Sequence, residues 1–447
     1  MADQPKSFSS GFAVPIDQAS LFKTPEAGSL LSGRNADALN SNILQYLDPS
    51  NPLYSLFVDG SSSSTFNNYI TTLVTNIANG TSVNTIMNGS MQIWQRGTSF
   101  TSAPTNRMLA DRWRYIKANT AAVHDVSRSS DVPGIHPSYT GQRDGTGFRW
   151  SMLFTLTTQD ASLGASDLVY FRQKIENPEN WFKIGKQDVV LTFWVKATKI
   201  GVYSVVLGDT ATFGDASGQG VNYISEYTIF TSDTWEKKTI YIPAHTGSMP
   251  GGSSIELGFA LMAGANYQGS VNTWSTQSQK YAGPNQINGC ESTTNNLYFY
   301  ITGIQLEVGA IPTKFYHVDF TTELLSCMRY YEKSFPYAQA PAYGISHTLG
   351  RPAIGTQIQA GANAQYPAVS STFLVPKISA ATGSNTILYN PVTSSEPNPR
   401  NIQAAANCTG YAFITSSAEA LAIAATTPSG GVAGQQLALH WATDVEP

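Results

Sequence analysis

The stretch VVLTFWVKA, from Val189 to Ala197, decides the fold class. Val189, Leu191, Phe193 and Val195 fall on one side of an extended chain, and Thr192 and Lys196 fall on the other. Successive side chains of a strand point to opposite faces, so this segment has an apolar face to bury and a polar face to leave wet. The pattern recurs from Ile255 to Met262, where Ile255, Leu257, Phe259 and Leu261 alternate with smaller or polar residues. It returns at Leu297, Phe299 and Ile301, then resumes in opposite phase at Ile304, Leu306 and Val308. A one-residue slip at Thr302-Gly303 restores the inward face, which predicts a β-bulge there. Long loops rich in Gly, Ser, Asn and Gln separate the strands, notably Gly208 to Gly220 and Gly264 to Thr294. Residues 86–318 therefore read as one β-sandwich.

Downstream, Asp319 to Lys333 reads as a helix. Thr321 is placed to cap it, Glu323 suits its positive end, and Leu324, Met328 and Tyr331 line one face. Beyond it, the runs TFLVPKI, NTILYN, YAFITS and QQLALHW are separated by Pro, Gly, Ser and Asn turns. Residues 319–447 thus form a helix and a second, smaller β domain. Upstream, residues 1–85 are rich in Ser, Asn and Leu, with two short helical patterns. Leu39, Ile43 and Leu47 share one face, while Phe66, Ile70, Leu73 and Ile77 follow the seam spacing of a coiled coil. That seam suits either a helix packed on its own domain or a short oligomerising stalk. The fold class is mainly β, with a partly helical N-terminal region.

Composition narrows the function classes. Charged residues make up 13% of the 447-residue chain, against about 25% in ordinary soluble domains. Ser, Thr, Asn, Gln and Gly replace them, leaving a polar, uncharged, Tyr-rich surface suited to neutral polar partners such as glycans. A net charge of -4 argues against nucleic acid, which needs concentrated Lys and Arg. No apolar run is long enough to span a membrane. The opening MADQPKSFSS has no basic region leading into an apolar stretch, so no export signal is expected. Cys290, Cys327 and Cys408 are odd in number and far apart, which predicts free thiols made in a reducing cytoplasm.

Enzymatic motifs are missing: no G-x-S-x-G, H-E-x-x-H, phosphate loop or dinucleotide fingerprint occurs. Glycan hydrolysis needs only two carboxylates, for which Asp160, Asp167, Asp209 and Asp215 are the loop candidates. No β-helix repeat accompanies them, so the chain reads as a non-enzyme.

Short motifs punctuate the sandwich in a fixed order. They are Asn88-Gly89, Gln95-Arg96-Gly97, Asp111-Arg112-Trp113, Gln173 with Ile175 and Glu176, and Phe193-Trp-Val-Lys196. Trp235-Glu-Lys237, Ala263 to Gln268, Asn272 to Trp274, Gly303 to Gly309 and Arg329-Tyr-Tyr331 follow. His440-Trp-Ala-Thr-Asp444 closes the chain. The set resembles bacteriophage fibre and tail-fibre proteins, well over 88–335 and loosely to 447. The resemblance implies a jelly-roll domain similar to carbohydrate-binding modules and a homotrimeric fibre on the virion exterior, synthesised in the host cytoplasm. Residues 1–85 would then bind other virion proteins, and 319–447 would face the host surface polysaccharide.

Candidate residues follow. Tyr267 and Trp274 in the Gly264 to Thr294 loop, and Tyr343 and His347 in the terminal domain, are expected to meet glycan, because aromatic rings pack on the C–H faces of sugars and loops on rigid scaffolds carry binding residues. Carbohydrate-module jelly rolls often hold one structural Ca2+, for which Asn88, Asp111 and Glu307 supply hard oxygen donors. Phe66, Ile70, Leu73 and Ile77 are the oligomerisation candidates.

Overall fold

The computed structural model describes residues 84–134, 147–176, 184–209, 221–247, 255–277, 279–291, 297–357, 365–393, 395–426 and 431–447. It also describes two short paired strands, β1 (Lys6–Ser7) and β2 (Ala13–Val14). Leu39, Ile43 and Leu47, and the candidate seam Phe66, Ile70, Leu73 and Ile77, lie outside the described residues. The chain divides into two compact units, 1–83 with 309–313 and 84–308 with 314–447. All that follows concerns the second.

Its first part is a jelly-roll β-sandwich. The strands are β3 (Ser99–Phe100), β4 (Arg107–Met108), β5 (Arg114–Ala118), β6 (Val123–Ser129), β7 (Ser151–Thr158), β8 (Leu168–Ile175) and β9 (Val189–Ala197). They continue with β10 (Gly201–Asp209), β11 (Val221–Ile229), β12 (Glu236–Ile242), β13 (Ile255–Ala263), β14 (Trp274–Thr276) and β15 (Leu297–Val308). One sheet runs β12-β9-β15-β7-β6-β3, the other β14-β11-β10-β13-β8-β5-β4. The apolar phase of each strand meets that of the opposite sheet: Phe154 stacks on Phe171 at 4.9 Å, and Phe193 meets Phe259 edge-on at 5.1 Å. Leu191, Val195, Leu257 and Ile301 fill the same core.

The expected bulge is present. The register of β15 on β9 shifts between Thr302 and Gln305, which returns Ile304 and Leu306 to the core. Gly303 makes the kink at φ +64°, and a Cβ there would sit 2.5 Å from the ring of Phe148. The kink also receives the start of the domain. Ile304 N donates to Gly89 O and Thr85 N to Leu306 O, both at 3.0 Å, and a Cβ on Gly89 would lie 2.1 Å from Ile304 O. The motifs that open and close the sandwich are thus neighbours in space. Gly303→Ala adds left-handed backbone strain to a steric clash, so an unfolding titration should show a loss of about 2–4 kcal/mol.

A histidine lies among the core side chains. His124 is fully buried, with Tyr115 Oη 2.8 Å from Nδ1 and Cys290 Sγ 3.8 Å from Nε2. Burial, helped by the charge of Lys117, lowers its pKa from 6.5 to about 3. Unfolding restores the ordinary value, so between pH 6.5 and 3 the unfolded chain takes a proton that the folded chain refuses. Stability should hold above pH 6.5 and fall steadily as pH drops towards 3, by at most about 5 kcal/mol from this group. His124→Gln should flatten that part of a stability-against-pH curve. A curve unchanged in slope would contradict the assignment.

The second part follows a helix, Phe320–Met328. Asp319, rather than Thr321, is its cap: the Asp319 carboxylate accepts from Thr321 N at 3.0 Å and Thr322 N at 3.1 Å. The helix is shorter than the sequence pattern suggests, because Tyr331 belongs to a strand. The strands are β16 (Tyr331–Lys333), β17 (Ala353–Thr356), β18 (Gln365–Thr372), β19 (Thr386–Tyr389), β20 (Arg400–Asn401), β21 (Ala406–Asn407), β22 (Gly410–Ser416), β23 (Ala420–Thr426) and β24 (Gln436–Asp444). Residues 436–439 of β24 pair with β17, and residues 440–444 pair with β19 and β16, so one long strand serves both layers. Trp441, Leu421, Ile423, Leu437 and Leu439 form the core between them.

Candidate functional site

The two outer faces of the sandwich differ. On the seven-stranded sheet the outward residues Tyr170, Val206, Ile224 and Ala260 are buried, because the loop after β13 folds down over them. Tyr281 stacks on Tyr170 at 4.7 Å, and Tyr267 leans on Tyr281 at 5.5 Å. Gly283 N donates to Ser204 Oγ, and Asn285 N and Nδ2 donate to the Glu226 carboxylate. Trp274 is held in β14: its Nε1 donates to Pro243 O at 2.6 Å, and its ring meets Tyr223 at 5.5 Å and His245 at 5.2 Å. The expected glycan loop is therefore a cover for this face, and Tyr267 and Trp274 are half-buried within it.

Among the described residues, the outer face of the six-stranded sheet is covered beyond the bulge and less so before it. Beyond the bulge, Gln305 and Glu307 are buried; Gln305 Oε1 accepts from Tyr316 N, and Glu307 accepts from Gln305 Nε2. Before the bulge, the outward phase of β15 carries Tyr298 and Tyr300, both half-buried. The register places Thr155 beside Tyr298, Leu153 and Lys196 on either side of Tyr300, and Trp194 beside Thr302. Trp235, just ahead of β12, completes the group: its ring is 6.0 Å from that of Tyr300, and Tyr298 is 6.3 Å from Tyr300.

An ion pair contacts two of these rings, Trp235 and Tyr300. Lys196 Nζ bonds Asp131 Oδ2 and lies 4.4 Å from the Tyr300 ring centroid and 5.7 Å from that of Trp235. The other oxygen of Asp131 accepts from Trp235 Nε1 at 2.9 Å. Burial, together with the Asp131 charge, raises the Tyr300 pKa, so its phenol stays protonated at neutral pH. The result is a group of tilted rings, Trp235 at 63° and Tyr298 at 41° to Tyr300, edged by Thr and Ser hydroxyls. Such faces are electron-rich and attract the partly positive C–H groups of a sugar ring, while the hydroxyls exchange hydrogen bonds with it.

Sequence reasoning passed over all four rings, although the signal was there. Trp194, Tyr298 and Tyr300 occupy the phase of their strands opposite to the strictly apolar one, which turns them away from the core between the two sheets.

The motif residues proposed for metal are otherwise engaged. Asn88 Oδ1 accepts from Ile93 N, and its Nδ2 donates to Ile93 O and Asp111 O. Asp111 has both oxygens taken, accepting from Gln95 N at 3.0 Å and Gln95 Nε2 at 2.6 Å, with Arg96 at 3.6 Å, and burial raises its pKa. Glu307 is with Gln305. Among the described residues no group of three or more His, Cys, Asp or Glu is placed to hold a metal. The donor set does not fit calcium, since a guanidinium and amide donors already occupy the positions of a cation.

Instead these motifs form the seam between the jelly roll and the terminal domain. Arg96 faces Asp111, Asp444 at 3.0 Å and Glu446 at 3.5 Å, and stacks on Tyr331 at 3.8 Å. Burial opposes its charge, and Asp444, Asp111 and Glu446 together outweigh that, so its pKa stands above the ordinary arginine value. Arg112 pairs with Glu446, donates to Lys174 O and stacks on Tyr330 at 3.3 Å. Arg329 grips Glu176 through two bonds of 2.9 and 2.6 Å. Lys333 Nζ donates to Gln95 O, Tyr337 O and Gln339 O at 2.6–2.9 Å; burial draws its pKa down to about 8, which leaves it an ammonium at neutral pH.

In the terminal domain, Tyr343 packs on Tyr389 at 5.1 Å, and Tyr389 on Phe335 at 5.4 Å. His347 lies half-buried on the same loop, whose Ser346 carbonyl is 3.1 Å from His440 Nε2. No contact is recorded between this pair and Tyr267 or Trp274 among the described residues. Asp160 accepts from Ala121 N and Thr120 Oγ1 of a distant segment, Asp167 closes a turn by accepting from Gly164 N, Asp209 is buried at the end of β10, and Asp215 lies outside the described residues.

No protein-family model and no curated protein matches this chain. Among solved structures it is similar to a CBM4 domain, at 13% identity over 50% of this chain and 98% of that one, TM-score 0.26. It is similar to a putative sugar binding protein from Bacteroides thetaiotaomicron VPI-5482, at 12% identity over 51% and 100%, TM-score 0.29. A cyclase from Fischerella sp. TAU matches at 9% identity over 52% and 100%, TM-score 0.30. The site above is defined by this chain's own strands.

Proposed function

We propose that this chain is a non-enzymatic adhesin, the body and tip of a homotrimeric phage fibre on the virion surface, and that it holds host surface polysaccharide. The observation that carries the adhesive part is the group of half-buried rings, Trp194, Trp235, Tyr298 and Tyr300, on an outer sheet face where an ordinary sandwich presents polar residues. The fibre part rests on the ordered motif set from Asn88 to Tyr331. On this reading residues 1–85 attach the fibre to other virion proteins, the seam fixes the terminal domain to the body, and the glycan contact is weak per site. Three copies per fibre then multiply it, because a second engagement of a tethered site is intramolecular.

The test uses the full chain. Light scattering should give three times the chain mass, and the protein should sediment with host cells and with their extracted polysaccharide. Binding should be lost when that polysaccharide is stripped from the cells. A chain that binds no host glycan, while virions lacking it lose integrity, would favour a purely structural fibre. Release of reducing ends from the polysaccharide would establish a depolymerase.

A further inference from the structure

We infer, resting on the adhesive reading above, that the platform takes a neutral, hydroxyl-rich glycan, and that Lys196 is a positioning residue for its rings, not an anion receptor. Lys196 is the cation nearest the rings, and a lysine beside aromatics on a polysaccharide-binding face would ordinarily suggest a uronate or sialate ligand. The geometry says otherwise. Its ammonium is spent on Asp131 Oδ2 and sandwiched by Tyr300 and Trp235, with only 12% of the side chain exposed. Asp131 Oδ1 is spent on the indole N–H of Trp235. The three side chains form a closed circuit: Asp131 accepts from Trp235 Nε1, Lys196 and Asp131 balance one another, and the Tyr300 and Trp235 rings lie beside the ammonium.

Other charges lie around this face, and Asp233 is an acid that also acts on Tyr300. Lys237 stands beside Trp194 in the outer row, and Asp125 lies beside Thr155 on the far side, where it accepts from Ser102 N. What the face offers a ligand is therefore ring surface and the hydroxyls of Thr155 and Ser127, which lie in adjacent rows of the sheet. An anionic sugar would have to break the Asp131–Lys196 pair to gain a counter-ion, and would meet the carboxylate of Asp131 on arrival.

The experiment presents the full chain with one array of neutral glycans and of uronate- or sialate-bearing glycans, at about 50 and 500 mM salt, where screening removes long-range charge effects. Neutral glycans should be retained, with affinity changing less than about twofold between the two salts. Asp131→Asn frees Lys196, so it should weaken neutral binding and add salt-sensitive binding of acidic glycans. Lys196→Met should weaken neutral binding and broaden the Trp235 fluorescence, without a salt effect. Preferential, salt-sensitive binding of acidic glycans by the unaltered chain overturns this inference while leaving the adhesive reading intact. Retention of no glycan at all overturns both.

Discussion

Arg96→Met should destabilise the protein by about 3–5 kcal/mol, the loss expected when one partner is removed from a buried ionic cluster. Three carboxylates converge on this guanidinium, and two of them, Asp111 and Glu446, belong to nearly inaccessible side chains. Asp111 would keep its Gln95 donors and Glu446 its bond to Arg112, but Asp444 and the face of Tyr331 would lose their partner. Arg96→Lys keeps a charge but neither the planar stack on Tyr331 nor the forked reach to several acids, so it should recover only part of the loss. A guanidinium titration followed by tryptophan fluorescence reads the effect. Because Arg96 joins the jelly roll to the tail of β24, the unaltered protein should unfold these parts in one transition, and Arg96→Met should split it in two. As a control, Lys237→Ala, on an exposed lysine, should change stability by no more than about 0.5 kcal/mol. An Arg96→Met midpoint equal to that of the native chain would mean the seam holds nothing together.

That seam also changes what the motifs signify. Asn88-Gly89, Gln95-Arg96-Gly97, Asp111-Arg112-Trp113 and Arg329-Tyr-Tyr331 lie far apart in sequence, yet each supplies a contact to the same junction. Asn88 N donates to the Glu323 carboxylate, Gln95 Nε2 donates to Tyr331 O, Asp111 faces Arg96 beside Asp444, and Tyr330 and Tyr331 cover Arg112 and Arg96. A run of conspicuous polar residues suggested a ligand site. Their chemistry is consumed in joining two β domains.

Period-two alternation made the sandwich legible, and the phase reversal in β15 placed its bulge at Gly303 from sequence alone. The helix was legible in kind but not in extent, because Tyr331 satisfies helical spacing and strand pairing equally until its partner Asp444 is known. The packing of the long polar loop was not legible. Aromatic residues were sought in the Gly264 to Thr294 loop, on the ground that long polar loops are free. Here the loop is bound to the outer face of the seven-stranded sheet through Ser204 and Glu226, contacts between residues far apart in sequence that local patterns do not reveal.

The second large effect concerns the platform. Removing Trp235 and Tyr300 together deletes two of its four rings and releases the Asp131–Lys196 circuit that orients them. Central aromatic anchors commonly account for 2 kcal/mol or more of binding, so the double variant Trp235→Ala, Tyr300→Ala should lose about thirtyfold or more in affinity per site. Trivalency would amplify the loss on whole cells. Both side chains stand outside the core, so unfolding stability should fall by no more than about 1 kcal/mol. Removal of Tyr267 and Tyr343, which pack against Tyr281 and Tyr389, should leave affinity within about twofold of the native chain.

The most direct measurement is therefore a side-by-side binding titration of host polysaccharide against the native chain, the Trp235→Ala, Tyr300→Ala variant and the Tyr267→Ala, Tyr343→Ala variant. Binding lost in the first variant and kept in the second is the predicted result. Binding kept in the first and lost in the second would place the ligand on the loops and remove the outer face of the six-stranded sheet from the mechanism.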